Sequence, residues 1–214
     1  PAGSEVELLD GQGTVYRAVI SETGRRVTLR IEGVAATAPS PGKTVWVGQG
    51  ILKGEKMDTV VQKCTELGVT RFTPFQSSRC QGKLDPVQAR KKHERWQRIG
   101  LAACKQCLRL QVMQQDEPMG YGDLLQSGEP CSADMLRLLF WEEEKDLHLR
   151  DVPAICRAQS VALILGPEGG LSREEVELAR ASGWRTVSLG ERILRAETAT
   201  LTAVAIVQFL AGNL

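Results

Sequence analysis

Two short segments near the carboxyl terminus carry the residues best suited to hold a small ligand. Residues 166–170 read GPEGG and directly follow an apolar run at 161–165, and Gly190 follows a second apolar run at 186–189. Glycine lets the backbone approach a ligand closely, so peptide N–H and C=O groups can recognise it. Each segment alone could be an ordinary strand-to-helix turn. Together they predict a ligand crevice at the carboxyl edge of a parallel sheet.

Charged side chains within and directly after these segments could supply chemistry. Arg195 could stabilise negative charge that develops on a reacting group, and Glu168 or Glu197 could shape the pocket or accept a proton. Two alternatives stay open. Glu197 also suits the first turn of a helix, where the helix dipole favours a carboxylate, and Arg195 could be an exposed loop cation.

The elements that would position these residues alternate between strands and helices from residue 44 onward. Apolar runs predict strands at 45–52, 69–75, 136–141, 161–165 and 186–189, and helical periodicity predicts helices at 55–67, 86–108, 172–181 and 197–211. This alternation predicts an α/β fold with a mostly parallel sheet that is covered on both faces. Ser172 and Glu175 have the spacing of a capping box at the start of the third helix.

The amino-terminal residues follow a different pattern. Residues 5–37 alternate between short apolar runs and turn signals, including an Asp-Gly pair at 10–11, which predicts a small antiparallel unit. The stretch 35–42 is rich in small residues and proline, and we interpret it as a linker.

Composition excludes several classes of protein. The chain has 214 residues, of which 42% are hydrophobic and 25% are charged, as in an ordinary globular protein. A net charge of +1 produces no overall basic field, so any surface for nucleic acid must be a local patch. Residues 90–98 (RKKHERWQR) could be such a patch or simply a charged helix surface, with Trp96 packed against the core.

Cysteine and histidine usage points to a reducing, cytoplasmic setting without a metal. The six cysteines stand at positions 64, 80, 104, 107, 131 and 156, a pattern unlike that of a small secreted scaffold. Cys104 and Cys107 have no second CxxC pair, and the chain has only two histidines, which disfavours a zinc site and a Ser-His-Asp triad. We see no signal peptide and no membrane span, and residues 199–211 are predicted to be a buried helix.

Residues 166–170 and 189–199 resemble the signature of the RsmE-type ribosomal RNA uridine-N3 methyltransferases, which belong to the SPOUT class of knotted S-adenosylmethionine enzymes. Residues 53–57 and 62–68, together with Gln106 and Arg109, are similar to the same family. The resemblance covers nearly the whole chain. At positions 102 and 105 the chain has Ala and Lys where an acidic residue is common in the family.

The resemblance implies two domains. The first, at 1–38, is a partial PUA-like antiparallel β-barrel that binds RNA, and the second, at 42–214, is a SPOUT-type parallel sheet with a carboxyl-terminal trefoil knot. Family members carry a further amino-terminal stretch that completes the barrel, and this chain starts at Pro1. We therefore expect it to be a truncated form.

The resemblance also implies a cofactor and its site. The cofactor is S-adenosylmethionine, and the residues expected to bind it are Leu165, Gly166, Pro167, Gly169, Gly170, Leu189, Gly190, Ile193, Leu194 and Thr198. Arg195, Glu197 and Glu168 are the expected catalytic residues, with Arg195 near the uracil or its phosphate. No metal is expected.

The implied reaction is methylation of N3 of a specific uridine in 16S ribosomal RNA, in the decoding region of the small subunit. The residues expected to lie near the RNA are Lys53, Lys56, Lys63, Gln106 and Arg109. The partners would be ribosomal RNA, free or within the assembled small subunit, and a second copy of the chain that packs on the last helix. The alternatives are a SPOUT methyltransferase acting on another RNA position or a ribose 2′-hydroxyl, and a non-catalytic RNA-binding module.

Overall fold

The computed structural model describes residues 1–38, 42–82, 85–127 and 135–214. These residues form two β-sheets, one antiparallel with three strands and one parallel with seven. The parallel sheet with its helices confirms the predicted α/β class. None of the helices in these ranges is long and apolar enough to cross a membrane.

The antiparallel sheet contains β1 (Glu5–Leu9), β2 (Thr14–Glu22) and β3 (Thr28–Thr37) in sequence order. The Asp10 carboxylate closes the first turn by accepting from the N–H groups of Gln12 and Thr14 at 2.7 and 3.0 Å. These hydrogen bonds lower the pKa of Asp10. An antiparallel sheet of this kind is consistent with part of a barrel, while its PUA-like character stays a prediction.

The prediction of a linker at 35–42 is wrong for residues 35–37. Residues 35–37 belong to β3, where they continue the ladder to Val15 and Thr14. Small side chains do not end a strand when its backbone groups have a neighbouring strand to pair with. Residues 39–41 lie outside the described ranges, so the boundary between 1–38 and 42–214 stays a prediction.

The strands of the parallel sheet are β4 (Thr44–Gly50), β5 (Arg71–Gln76), β6 (Gln114–Gln115), β7 (Met119–Gly120), β8 (Leu136–Phe140), β9 (Ser160–Leu165) and β10 (Arg185–Val187). Their order in the sheet is β10-β8-β9-β4-β5-β6, with the short β7 also paired to β5. The helices are α1 (Lys56–Glu66), α2 (Pro86–Gln106), α3 (Tyr121–Gln126), α4 (Arg173–Ala181) and α5 (Ala196–Ala211). Two short 3-10 helices, Leu149–Asp151 and Pro153–Cys156, precede β9. The trefoil knot stays a prediction.

Both faces of this sheet are buried, which explains why its strands are continuous apolar runs. Successive side chains of a strand point to opposite faces, so Val45 and Val47 join one core cluster and Trp46 joins the other. Trp96 of α2 packs in the first cluster with 3% of its surface exposed, as predicted.

The structure differs from the predicted elements mainly at short or irregular segments. Helix α2 ends at Gln106, two residues before the predicted end, and Leu108 adopts a positive φ of 59°. Helix α3 and strands β6 and β7 have six residues or fewer, too short for a periodic pattern to predict them.

Candidate functional site

The carboxyl ends of four neighbouring strands meet at one edge of the parallel sheet. Leu165, the last residue of β9, is in register with Phe140 of β8 on one side and Gln49 of β4 on the other. Phe140 is in turn opposite Val187 of β10. The chain segments that leave these strands therefore surround a common space, as expected for an open parallel sheet.

This space is a cavity of about 260 Å³. The predicted cofactor residues that line it are Leu165, Gly166, Pro167, Gly170, Leu189, Gly190, Ile193 and Leu194. Glu168 lines it as well, whereas Gly169, Thr198, Arg195 and Glu197 are outside its lining. The structure thus brings the two glycine-containing segments together around one cavity, as the sequence predicted.

The first loop, residues 166–170, is held by contacts along its length. The Gly170 N–H donates to the Pro167 carbonyl at 2.9 Å, and Gly170 has a positive φ of 69°. Arg79 donates from Nη1 to the carbonyls of Gly169 and Leu171, both at 3.2 Å. The loop therefore needs glycine at its last position and is fastened by the segment that follows β5.

The capping box predicted at the start of α4 is present. The Ser172 hydroxyl accepts from the Glu175 N–H at 3.3 Å, and Glu175 Oε2 accepts from the Ser172 N–H at 2.9 Å. The other carboxylate oxygen of Glu175 accepts from the Ser78 N–H at 2.7 Å. The cap thus fixes both the end of the first loop and the neighbouring segment after β5.

A third wall of the cavity comes from residues that the sequence analysis did not assign. Phe140 is the last residue of β8, Trp141 and Glu142 follow it, and all three line the cavity. The Glu142 carboxylate packs directly against Gly170, where a Cβ atom would lie 2.3 Å from Oε1. Residues 136–141 were predicted as a strand, so the rule that places ligands at strand ends would have found this wall.

Partly buried polar contacts hold the third wall. The Arg180 guanidinium lies 5.4 Å from the centre of the Trp141 ring, and it contacts Glu144 at 3.3 Å. Burial opposes the ionisation of Glu144, but hydrogen bonds from the Thr186 hydroxyl and from the N–H groups of Asp146 and Leu147 outweigh it. The pKa of Glu144 is therefore lowered, which keeps the carboxylate charged next to Arg180.

The structure also brings together three predicted residues that are far apart in the sequence. Lys56 Nζ lies 3.3 Å from Glu168 Oε1 and 3.6 Å from Glu197 Oε2. Glu168 Oε1 accepts in addition from the Lys53 N–H at 3.1 Å. We call this contact of Lys56 with both carboxylates the Lys56 bridge. It links α1, the first loop and the start of α5.

The Lys56 bridge affects the ionisation of Glu168. Burial raises the pKa of this carboxyl, but the hydrogen bond from the Lys53 N–H and the Lys56 ammonium together lower it by more. The net pKa is therefore below the ordinary value of 4.5. Glu197 Oε2 is buried and has no hydrogen-bond partner among the described residues. Lys56 is therefore the cation that the two carboxylates share, and Glu168 has the Lys53 N–H as a second donor.

We expect Lys56→Met to lower the free energy of unfolding at pH 7 by about 1 kcal/mol, since the lysine is partly exposed and water screens its ion pairs. The lowered pKa of Glu168 makes this stabilisation present above pH 4.5 and lost as the pH falls through the folded-state value. Urea unfolding at pH 7 and at low pH measures both expectations. Lys53→Met is the control, because its contact with Glu168 comes from the backbone. A Lys56→Met curve that follows wild type at every pH would contradict the bridge.

The remaining residues predicted to bind RNA are also outside the cavity lining. Lys63 donates to Glu66 within α1, and Gln106 lies exposed at the end of α2. Arg109 Nη1 donates to the Thr65 carbonyl at 3.1 Å, and burial lowers the pKa of its guanidinium. Arg109 therefore fastens the end of α1, and its role toward RNA stays a prediction.

Comparisons of the sequence and of the structure with known proteins agree on one family. Residues 39–208 match the family described as RNA methyltransferase domain. The chain is 36% identical to the ribosomal RNA small subunit methyltransferase E of Bacillus subtilis over 169 aligned residues, and this aligned region covers 77% of the chain. The chain spans 65% of the length of that relative.

Solved structures match over almost the entire chain. The ribosomal RNA small subunit methyltransferase E of Neisseria gonorrhoeae, bound to S-adenosylmethionine, superposes with a TM-score of 0.87 at 31% identity, covering 98% of this chain and 85% of that one. A Legionella pneumophila methyltransferase in complex with the same cofactor gives a TM-score of 0.86 at 34% identity, covering 97% and 84%.

Proposed function

Since the chain belongs to the RNA methyltransferase domain family, we propose that it transfers the methyl group of S-adenosylmethionine to N3 of a specific uridine in 16S ribosomal RNA, in the decoding region. The observation that carries this proposal is the cavity between the two glycine-containing loops. Two similar proteins were solved with S-adenosylmethionine, and the relatives act on small-subunit RNA by name. We also propose that the parallel-sheet domain contains the carboxyl-terminal trefoil knot that the family resemblance implies.

The residues around the cavity fit this cofactor. A volume of about 260 Å³ approaches the range of roughly 300–1,000 Å³ that is usual for small-molecule pockets. Its walls combine loop backbone, apolar side chains such as Leu165 and Leu189, and the carboxylates of Glu142 and Glu168. Peptide groups suit the adenine edge and the ribose, and carboxylates suit a cation. When bound, S-adenosylmethionine supplies an electrophilic methyl group on a positively charged sulfur.

The position of the target atom constrains the conformation of the target base in the RNA. Uracil N3 lies on the Watson–Crick edge, so the base must be unpaired or swung out of its stack to expose it. The N3 proton must leave for nitrogen to act as a nucleophile, and negative charge then develops on the neighbouring carbonyl oxygens. A cation beside those oxygens stabilises that charge.

Arg195 is the cation that we assign to this role. It is the exposed residue that precedes α5, and its side chain makes no hydrogen bond to cap the helix. Glu168 and Glu197 are the candidate proton acceptors, as is solvent. The lowered pKa of Glu168 keeps it ionised at neutral pH, which leaves it able to accept a proton but makes it a weak base.

Calorimetry and RNA mapping together test the proposed function. Titration with S-adenosylmethionine should give saturable heat, whereas a non-catalytic RNA-binding module should give none. Mass spectrometry of nuclease fragments, after incubation with small subunits or free 16S RNA, should locate one added methyl on uracil N3. A methyl on another base or on a ribose 2′-hydroxyl would support the alternative methyltransferase activity instead.

We propose that the chain acts as a homodimer in the cytoplasm. Helix α5 buries one face against the core but leaves Phe209 70% and Ile206 37% exposed, and these two residues are three positions apart on one face of the helix. An exposed apolar patch of this kind favours a protein interface, and a second copy of the chain is the partner that the family resemblance implies.

A cytoplasmic location agrees with free thiols at Cys64, Cys80, Cys104, Cys107 and Cys156.

We expect Phe209→Glu to weaken the dimer by at least about 10-fold, because a charge would be buried in an apolar interface. Light scattering and sedimentation over a range of concentrations measure this effect. Val87→Glu on α2 is the matched control, since Val87 is 64% exposed on another helix. A wild-type chain that is monomeric at working concentration would refute the dimer.

A further inference from the structure

We infer that Gln49 is a positioning residue that holds two walls of the cofactor cavity at a fixed separation. This inference rests on the proposed function, since it concerns the same cavity. Gln49 is the second-last residue of β4 and is fully buried, with 0% of its surface exposed. It is absent from the cavity lining, so it acts through its neighbours.

The Gln49 side chain connects the first loop to α5. Its Nε2 donates to the Gly166 carbonyl at 3.2 Å and to the Gly50 carbonyl at 3.0 Å. Its Oε1 accepts from the Thr200 hydroxyl at 2.5 Å. Gly166 and Thr200 are distant in the sequence, and Gln49 is the side chain that joins them.

The orientation of this amide follows from its partners. Both neighbours of Nε2 are carbonyl oxygens, which only accept, so an NH₂ group must face them. The carbonyl end of the amide then faces Thr200, whose hydroxyl is a donor. Both N–H groups and the oxygen of Gln49 are thus used, which is the condition for burying an amide without a large penalty.

Both ends of the connection reach the cavity wall. Gly166 lines the cavity directly. On the other side the Thr200 hydroxyl also lies 2.9 Å from the carbonyl of Ala196, and Ala196 and Ala199 line the cavity as well. A shift of the Gln49 amide would therefore change the distance between the first loop and the first turn of α5.

The competing explanation is that Gln49 only stabilises the core. Gln208, on the same helix as Thr200, provides a matched comparison for this possibility. It is 1% exposed, its Nε2 donates to the Leu67 carbonyl at 2.7 Å, and it does not line the cavity. Replacing either glutamine by methionine removes a buried amide of the same size.

The test compares Gln49→Met with Gln208→Met. Binding of S-adenosylhomocysteine is measured by calorimetry, and melting is followed on the same samples. We expect both variants to melt at lower temperature, but only Gln49→Met to bind about 10-fold more weakly, as for the loss of one buried hydrogen bond. In turnover assays Gln49→Met should raise the KM for S-adenosylmethionine and leave the KM for RNA unchanged.

Thr200 supplies a second, independent pair of variants. Thr200→Val removes the donor to Gln49 while keeping the side-chain volume, and Thr200→Ser restores a hydroxyl. We expect Thr200→Val to weaken binding and Thr200→Ser to recover most of it.

Wild-type affinity in Gln49→Met, or an equal loss in Gln208→Met, would overturn the inference. A wild-type chain that binds no S-adenosylhomocysteine would overturn the proposed function itself.

Discussion

Gly50→Ala is expected to weaken S-adenosylmethionine binding by about 100-fold, whereas Gly48→Ala, on the same strand, leaves it within a few fold. Gly50 ends β4, next to the first loop of the cavity. A Cβ atom there would lie 2.5 Å from the Pro167 nitrogen, 2.6 Å from its Cδ and 2.9 Å from the carbonyl carbon of Gly166. Two of these atoms are backbone, so the loop itself would have to move.

Gly48 is a suitable control because its surroundings can adjust. A Cβ atom at this position would meet Leu124 Cδ2 at 3.1 Å and Ile164 Cγ1 at 3.5 Å, which are both side-chain atoms. Calorimetry with S-adenosylmethionine and a melting curve for each variant separate loss of binding from loss of folding. If Gly50→Ala binds like wild type, the first loop does not form the cofactor site.

The two glycine-containing loops could be predicted because their signals are local. A strand end, a glycine and a capping residue occur within a few positions of one another, as in residues 161–172. The parallel sheet then followed from the alternation of strands and helices. Physical pattern and family resemblance agreed on this segment, and the structure places both loops at one cavity.

The contacts that complete the site could not be predicted, because they depend on long-range register. Lys56 reaches Glu168 and Glu197 only since α1 follows β4, which lies beside β9 in the sheet. From the sequence Lys56 was assigned to RNA, and its ion pairs were not foreseen. Gln49 was not assigned at all, because a polar residue in an apolar run has no distinctive local pattern.

Secondary structure was predicted least well where tertiary pairing outweighs composition. Residues 35–37 are small and precede a proline-rich stretch, yet they form the end of β3 because β2 offers backbone partners. In α5 the pattern predicted a buried helix, and one face is buried, but Phe209 stays exposed within the chain. An apolar residue in the sequence does not distinguish the core of one chain from an interface between two.

Arg195→Ala is expected to lower kcat by about 100- to 1,000-fold, which is the range seen when one donor to a developing oxyanion is removed, and to leave the affinity for S-adenosylmethionine within about twofold. Arg195 is exposed and lies outside the cavity lining. Its side chain forms no hydrogen bond at the helix start. Its removal should therefore cost little stability and little cofactor binding, because a group that acts mainly in the transition state changes kcat rather than ground-state affinity.

Arg185→Ala is the matched control for this prediction. Arg185 is also exposed, and it begins β10 outside the cavity lining. Both variants remove one positive charge, so both should weaken non-specific attraction to RNA equally. Single-turnover methylation with saturating RNA and cofactor then isolates the chemical step. Full turnover in Arg195→Ala, or an equal loss in Arg185→Ala, would show that Arg195 does not stabilise the charge on the uracil. Partial rescue by Arg195→Lys would indicate that positive charge matters more than the planar guanidinium.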